Sequence, residues 1–354
     1  MQIPEATVTM IGAPGCGKTT YFLGMYATMS SGLQGYFLVT EDLDLDLELS
    51  ENWDGMCDDG EMPAPTNGEV PRTFPLVFRN GLQTILRFSW EDYRGGAMSN
   101  RADDEVAVDA THLLERVHRS DSIYLVVNGN ELLEPVTQAS LQQVRRATKS
   151  RRMNAVLQDT TRRRQEEGRP VPSMVVLVTK SDLIARANPG VGKEELVERI
   201  ADSARALLPS CFQEGTNTLI CPVRIGEFSG DAQKQVAPED VSPRNLHFPM
   251  IFSFLNYLDG QVESTRARLD STRSLIAGNR GEADRMNSTF VGRMFKGGEI
   301  GRLRSAAITA EAEITTLTQD LNRSERQLTA LSEDLRSALK NCDVAVFQDG
   351  VRVQ

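Results

Sequence analysis

The chain of 354 residues has no long hydrophobic run. Its longest, Ile123–Val127, Met174–Val178 and Met250–Leu255, fall far short of the roughly 20 apolar residues that cross a bilayer. The opening MQIPEATVTM lacks the basic-then-apolar order of a secretory leader. Cysteine is sparse: Cys16, Cys57, Cys211, Cys221 and Cys342 form no CxxC pair, which argues against a disulfide scaffold or a zinc site and for a reducing compartment. His112, His118 and His247 are too few and too scattered for a metal cluster. Basic charge is also short, 39 Lys and Arg against 49 Asp and Glu, and a net charge of −10 has the wrong sign for a general nucleic-acid binder. These absences predict a cytoplasmic protein with neither a nucleic-acid partner nor membrane contact.

What is present is ordinary for a globular protein: 40% apolar and 25% charged residues, enough for one large domain or two modest ones. Short apolar runs alternate with helix-like stretches. Thr7–Ile11 is followed by a glycine-rich loop and a helical stretch from Lys18 to about Ser30. Residues 41–61 hold ten acids and no base; the period-two DLDLDLELS suits a strand, a helix start or a disordered loop. Phe74–Phe78 and Leu82–Phe88 flank Asn80-Gly81 and predict a hairpin. A helix is predicted from about Asp104 to Arg119 and a long, basic one over 135–166. Ile123–Val127, Met174–Val178 and Thr218–Val223 read as buried strands, with a helix at Lys193–Leu208 between the last two. This alternation predicts a mainly parallel α/β sheet covered on both faces.

From Leu255 onward the period changes. Leu255, Leu258, Val262, Leu269 and Ile276, then Leu303, Ala307, Ala310, Ile314, Leu317, Leu321, Leu328, Leu331 and Leu335, recur at heptad spacing. A break between them carries Phe290, Val291, Met294 and Phe295 beside Arg293, Lys296 and Arg302. The pattern predicts a coiled-coil helical hairpin, or the same segments paired between two copies as a homo-oligomer. The last residues, with Asp349-Gly350 between alternating runs, suggest a small hairpin.

Three motifs carry chemistry. Gly12-Ala13-Pro14-Gly15-Cys16-Gly17-Lys18-Thr19 matches GxxxxGK[ST] between a strand and a helix. Its glycines let successive amides face phosphate oxygens, Lys18 reaches the outer phosphates and the Thr19 hydroxyl suits Mg²⁺. Asp92-Tyr93-Arg94-Gly95 fits DxxG after a strand, offering a carboxylate for Mg²⁺ and an amide for a γ-phosphate. Thr179-Lys180-Ser181-Asp182 ends a buried strand with [NT]KxD spacing. Its aspartate can accept from the guanine N1–H and amino group, a donor pair adenine lacks.

In this order and spacing the motifs resemble the Ras-like P-loop GTPases of the translation-factor-related class, and most closely the bacterial double-GTPase-like group. The resemblance covers about residues 5–260. It implies a Ras-like G domain over 1–254 with an extended switch region and a helical insertion at about 135–168, then the hairpin at 255–341 and a tail at 342–354. It implies that Gly12, Ala13, Pro14, Gly15, Cys16, Gly17, Lys18, Thr19, Thr20, Gly95, Thr179, Lys180 and Asp182 bind nucleotide, joined by Pro222 and Val223. These last two stand where the family carries a Ser-Ala-Lys-like stretch. Lys18, Thr66 and Gly95 would act on the γ-phosphate, and Thr19, Thr66 and Asp92 would hold Mg²⁺. Thr66 is preferred to Thr73 as the switch threonine because prolines and a glycine surround it. Gly96 stands where many relatives place a water-orienting glutamine, so hydrolysis is expected to be slow. The expected function is a GTP/GDP switch that signals to a protein effector or activating protein. The alternatives are a self-assembling or scaffold GTPase of a bacterial conflict system, and a P-loop ATPase or nucleotide kinase in which TKSD is accidental.

Overall fold

The computed structural model describes residues 5–33, 35–63, 72–92, 104–227, 237–288, 297–341 and 343–353. The strands are β1 (Glu5–Gly12), β2 (Tyr36–Val39), β3 (Arg72–Asn80), β4 (Gln83–Asp92), β5 (Ser122–Asn128), β6 (Ser173–Thr179), β7 (Asn217–Pro222), β8 (Arg224–Gly226), β9 (Val241–Arg244), β10 (Ala345–Gln348) and β11 (Val351–Val353). Nine of them form one sheet in the order β11-β10-β7-β6-β5-β1-β4-β3-β2, while β8 and β9 pair separately. The five central strands are parallel. Both flanks are antiparallel, so the expected parallel sheet is present as the centre of a mixed one. The reason is local. Asn80-Gly81 turns β3 into β4, with Gly81 at φ 54° in the left-handed region that glycine tolerates, and the chain's last strands double back at Asp349-Gly350.

The helices are α1 (Lys18–Ser30), α2 (Leu43–Asp58), α3 (Asp104–Arg119), α4 (Leu141–Thr148), α5 (Ser150–Glu166), α6 (Ser181–Ala187), α7 (Lys193–Leu207), α8 (Phe248–Ser288) and α9 (Gly297–Lys340). Residues 41–61 are mostly helix, and the cap shows why. Asp42 Oδ1 accepts from the amides of Asp44 and Leu45 at 3.0 and 3.3 Å, and two further acids sit in the first turn, where the helix dipole favours them. Leu49 and Met56 then face inward, whereas Leu43 and Leu47 stay exposed.

The expected single helix over 135–166 is two. Lys149 adopts φ 59°, ψ 18°, ending α4 and beginning α5. Continued at 3.6 residues per turn, the inward face through Leu141, Val144 and Thr148 would reach Arg151, Arg152 and Ala155 next. The bend rephases the chain so that Met153 and Leu157, both fully buried, meet the core instead. Arg164 then ties α5 down: its buried guanidinium donates to the carbonyls of His118, Ser120 and Pro170 at 2.7, 2.6 and 3.3 Å.

The two faces of the sheet have different cores. On one, Ile123, Leu125, Val127, Met174, Val176 and Val178 pack against apolar residues of α3, α5 and α7. On the other, Tyr124 meets Tyr21 of α1 and Trp90 of β4 in an aromatic cluster. The hydroxyls of Ser122 and Tyr124 bond Ser253 near the start of α8 at 2.8 and 3.0 Å. Helix α2 packs outside α1, with Trp53 against Gly24.

The chain divides into two compact units, one of Met1–Ser253 with Leu335–Gln354 and one of Phe254–Asp334. The second holds most of two long antiparallel helices. Val262, Leu269 and Ile276 of α8 and Ala307, Ala310 and Leu317 of α9 are buried there. Arg266 pairs with Glu325 at 2.6 Å, Arg268 with Glu313 at 3.0 Å, and Arg280 with Glu311. Residues 289–296, which include Phe290, Val291, Met294 and Phe295, lie outside the described residues. Among the described residues no helix is long and apolar enough to cross a membrane.

His247 closes the entry to α8, its carbonyl accepting from the amides of Met250 and Ile251 at 3.1 Å and its ring against Phe248. Burial pushes its pKa down to about 4, against a smaller upward pull from Asp343. The folded value lies below the unfolded one, so the neutral ring's contribution is complete above pH 6.5 and is lost as pH falls toward 4. That loss should reach up to about 3 kcal/mol. Urea unfolding of the wild type should therefore weaken more steeply between pH 6.5 and 4 than that of His247→Gln; parallel curves would refute this.

Candidate functional site

The carboxyl end of β1 opens into the loop Gly12–Gly17, and α1 begins at Lys18. Gly15 and Gly17 take φ 68° and 88°, so the backbone curls where side chains other than glycine are strained. Lys18 is only 7% exposed. Its ammonium folds back into the curl, donating to the carbonyls of Gly12 and Ala13 at 3.3 Å each, with Cys16 Sγ at 3.9 Å. Gly12 has little freedom to be anything else: a Cβ there would meet Cys16 Sγ at 2.7 Å and Val126 at 3.0 Å.

The end of β6 comes directly to this loop. Thr179 Oγ1 donates to the Cys16 carbonyl at 2.6 Å, and the Thr179 side chain lies 3.6 Å from where a Gly17 Cβ would stand. Lys180 follows at φ 52°, a left-handed residue that turns the strand into α6. Asp182, in the first turn of α6, is buried, and its Oδ2 accepts from Arg186 at 2.9 Å. The end of β7 joins them: the Ser181 amide donates to the Val223 carbonyl at 3.2 Å, and the Val223 amide to Val178 at 2.8 Å. Asn245, itself left-handed at φ 64°, donates from Nδ2 to the Pro222 carbonyl at 2.9 Å. Burial, with Asp343 nearby, keeps the Cys221 thiol protonated.

So Gly12, Ala13, Pro14, Gly15, Cys16, Gly17, Lys18, Thr179, Lys180, Pro222 and Val223 lie on three adjoining segments linked by these bonds. Thr19 and Thr20 open α1, both half-buried. Asp92 is the last residue of β4, in register with Met10 of β1. Thr73 sits in β3 opposite Glu91. Thr66 and the segment Tyr93–Gly96, with Gly95, lie outside the described residues. The arrangement is a curl of main-chain amides at the positive end of a helix, with one ammonium inside it and a buried carboxylate nearby on α6. It can receive an anion.

Three residues of this region have no motif to announce them. Gly129 follows β5, and a Cβ there would come within 2.5 Å of the Thr179 carbonyl and 2.8 Å of that of Lys180. Arg186 could have been noticed as a base four residues after Asp182 on a helix. Asn245 carries no such local signal.

No family model matches the chain, and no curated protein does. Among solved structures it is similar to a tyrosine-to-alanine variant of Era from Aquifex aeolicus bound to GDP·AlF4⁻, at 12% identity and a TM-score of 0.32. The match covers 68% of this chain, which spans 58% of the length of that one.

Gly129 gives a direct test of the link between β5 and the end of β6. Gly129→Ala must displace backbone and should destabilise the protein by about 2–4 kcal/mol in urea unfolding. In Gly55→Ala, mid-helix and facing open space, the added methyl should instead stabilise by about 0.5–1 kcal/mol.

Proposed function

We propose that the chain is a guanine-nucleotide-binding GTPase whose nucleotide state is read by a protein partner. The observation that carries this reading is the 2.6 Å bond from Thr179 to the Cys16 carbonyl, which joins TKSD to the P-loop. An accidental TKSD elsewhere on the surface would not sit there. In this reading the amides of Gly12, Ala13, Pro14, Gly15, Cys16 and Gly17 cradle the β-phosphate, with Thr20 following on α1. Lys18 exchanges two neutral carbonyl acceptors for charged phosphate oxygens, a stronger bond. Gly95 meets the γ-phosphate. Lys180 lays its stem along the base, and the Pro222–Val223 backbone borders it.

Asp182 is the specificity group. Its carboxylate must give part of its hydrogen bonding with Arg186 to the base, and guanine offers two N–H donors in compensation. Adenine offers no such pair, and each charge-assisted bond is worth roughly 1.5–3 kcal/mol. Thr19 and Asp92, with Thr66 from the switch, would hold Mg²⁺. A hydroxyl and a carboxylate are the hard oxygen donors that cation takes, and the β1–β4 register places Asp92 on the strand next to the one that feeds the loop. Bound there, the ion supplies charge neutralisation at the β- and γ-phosphates. Gly96 has no side chain to orient water, so turnover is slow until a partner supplies that group. The α8–α9 pair is read as a coiled-coil strut through which the partner is reached.

Displacement of a fluorescent GDP analogue tests the reading. GTP should displace it at least about 100-fold better than ATP, from two charge-assisted bonds. Asp182→Asn should invert the preference toward xanthosine nucleotides, and Lys18→Ala should weaken binding by about 10- to 100-fold. Equal competition by ATP would remove the guanine assignment and leave a P-loop ATPase or kinase.

A further inference from the structure

Charge is segregated along this chain in two blocks of opposite sign. Residues 41–61 carry ten acids and no base; residues 135–158 carry five bases and no acid. The first block is mostly helix α2. Leu43, Leu47, Glu51, Asp54 and Asp58 recur at helical spacing on one exposed stripe, with Leu43 69% and Leu47 51% exposed. Among the described residues these two large apolar side chains and three acids form an exposed face, since α2 packs on α1 through Leu49, Trp53 and Met56.

The second block forms a shallow groove at the α4–α5 bend, lined by Arg145, Arg146, Lys149, Arg151, Arg152 and Ala155. No acid lines it. The first turn of α5 also carries no acid and no side-chain cap, so three cations sit at the positive end of a helix dipole, where their charge is unfavourable. Arg145 and Arg146 do suit the last turn of α4, and Arg145 donates to the Ala206 carbonyl at 2.8 Å, but the exposed Arg146 and Arg151 give the groove a single sign of charge toward solvent. The aliphatic stems of its arginines offer apolar surface beside the charge, the complement of a leucine-and-acid stripe.

The same molecule cannot join the two. Helices α4 and α5 pack with α3 and α7 on one face of the sheet, through Val144, Met153 and Leu157. Helix α2 lies outside α1, on the face of Tyr21 and Tyr124. We infer that the acidic stripe of α2 docks in the α4–α5 groove of a second copy. Because donor and acceptor surfaces lie on opposite faces, the contact is head-to-tail and does not close at two; it continues into a larger ring or a filament. It uses neither the nucleotide nor the long helices.

Sedimentation of the full chain, with and without nucleotide, tests this. At low ionic strength the wild type should form a concentration-dependent series extending beyond the dimer, which dissolves at roughly 0.5 M salt, where the Debye length falls to a few ångströms. Glu51→Lys with Asp54→Lys on α2, and separately Arg146→Glu with Arg151→Glu in the groove, should each be monomeric. Mixing the two variants should give a one-to-one dimer that grows no further, because one offers only the groove and the other only the stripe. Misfolding cannot produce that dimer. A monomeric wild type at every concentration, or a mixture that stays monomeric, overturns the proposal. So does a wild type that remains monomeric while its groove binds duplex RNA or anionic vesicles and Arg146→Glu with Arg151→Glu abolishes that binding.

Discussion

One hydroxyl holds the working end of this sheet together. Thr179 Oγ1 donates to the Cys16 carbonyl at 2.6 Å and lies 3.4 Å from that of Val127, so it touches the loop after β1 and the end of β5 while standing on β6. Those strands are neighbours in the order β6-β5-β1, and a single short side chain can therefore reach across all three. The Cys16 carbonyl is thereby committed to Thr179, while those of Gly12 and Ala13 take the Lys18 ammonium. Gly129 is glycine for the same reason: the carbonyls of Thr179 and Lys180 occupy the space a side chain would need.

From that bond the rest of the region follows outward. The left-handed Lys180 swings the chain into α6 and brings Asp182 to its buried position beside Arg186. The Ser181 amide catches the Val223 carbonyl, so the end of β7 is drawn in. Asn245 holds Pro222 from the other side and also reaches the Asp343 carbonyl at 3.4 Å, while Lys193 pairs with the Asp343 carboxylate at 2.5 Å. The stretch just before α8 and the stretch just after α9 thus meet the same strand end.

Much of this was legible in the sequence where one physical demand dominates. A curl of amides needs glycines and a lysine at fixed spacing, and buried parallel strands need continuous apolar runs, so β1, β5, β6 and the loop of Gly12–Thr19 could be found directly. Asn80-Gly81 fixed the hairpin because few dipeptides accept its backbone. The acidic stretch was ambiguous because DLDLDLE satisfies a strand's alternation. What decides for helix is the Asp42 cap and the burial of Leu49 and Met56, which alternation does not display. The bend at Lys149 was hidden because both halves favour helix, and only the phase of Met153 and Leu157 relative to Val144 demands a break. Gly129 and Asn245 were illegible because their constraint comes from backbone distant in sequence, which no local pattern encodes.

The same phase argument explains why the charged blocks are where they are. Rephasing at Lys149 turns Met153 and Leu157 inward and so forces Arg151 and Arg152 outward, beside Arg145 and Arg146 of the preceding helix. On α2, choosing Leu49 and Met56 as the inward residues leaves Leu43 and Leu47 outward among acids. Each surface is thus the necessary remainder of a core decision made elsewhere. The core fixes which positions point out, but it does not fix what residue stands at them. Glutamine or alanine at 151 would satisfy the helix without placing a cation at the positive end of α5. Arg145 serves the fold through the Ala206 carbonyl, whereas Arg146 and Arg151 are exposed, and the sign they attract is the one that α2 carries.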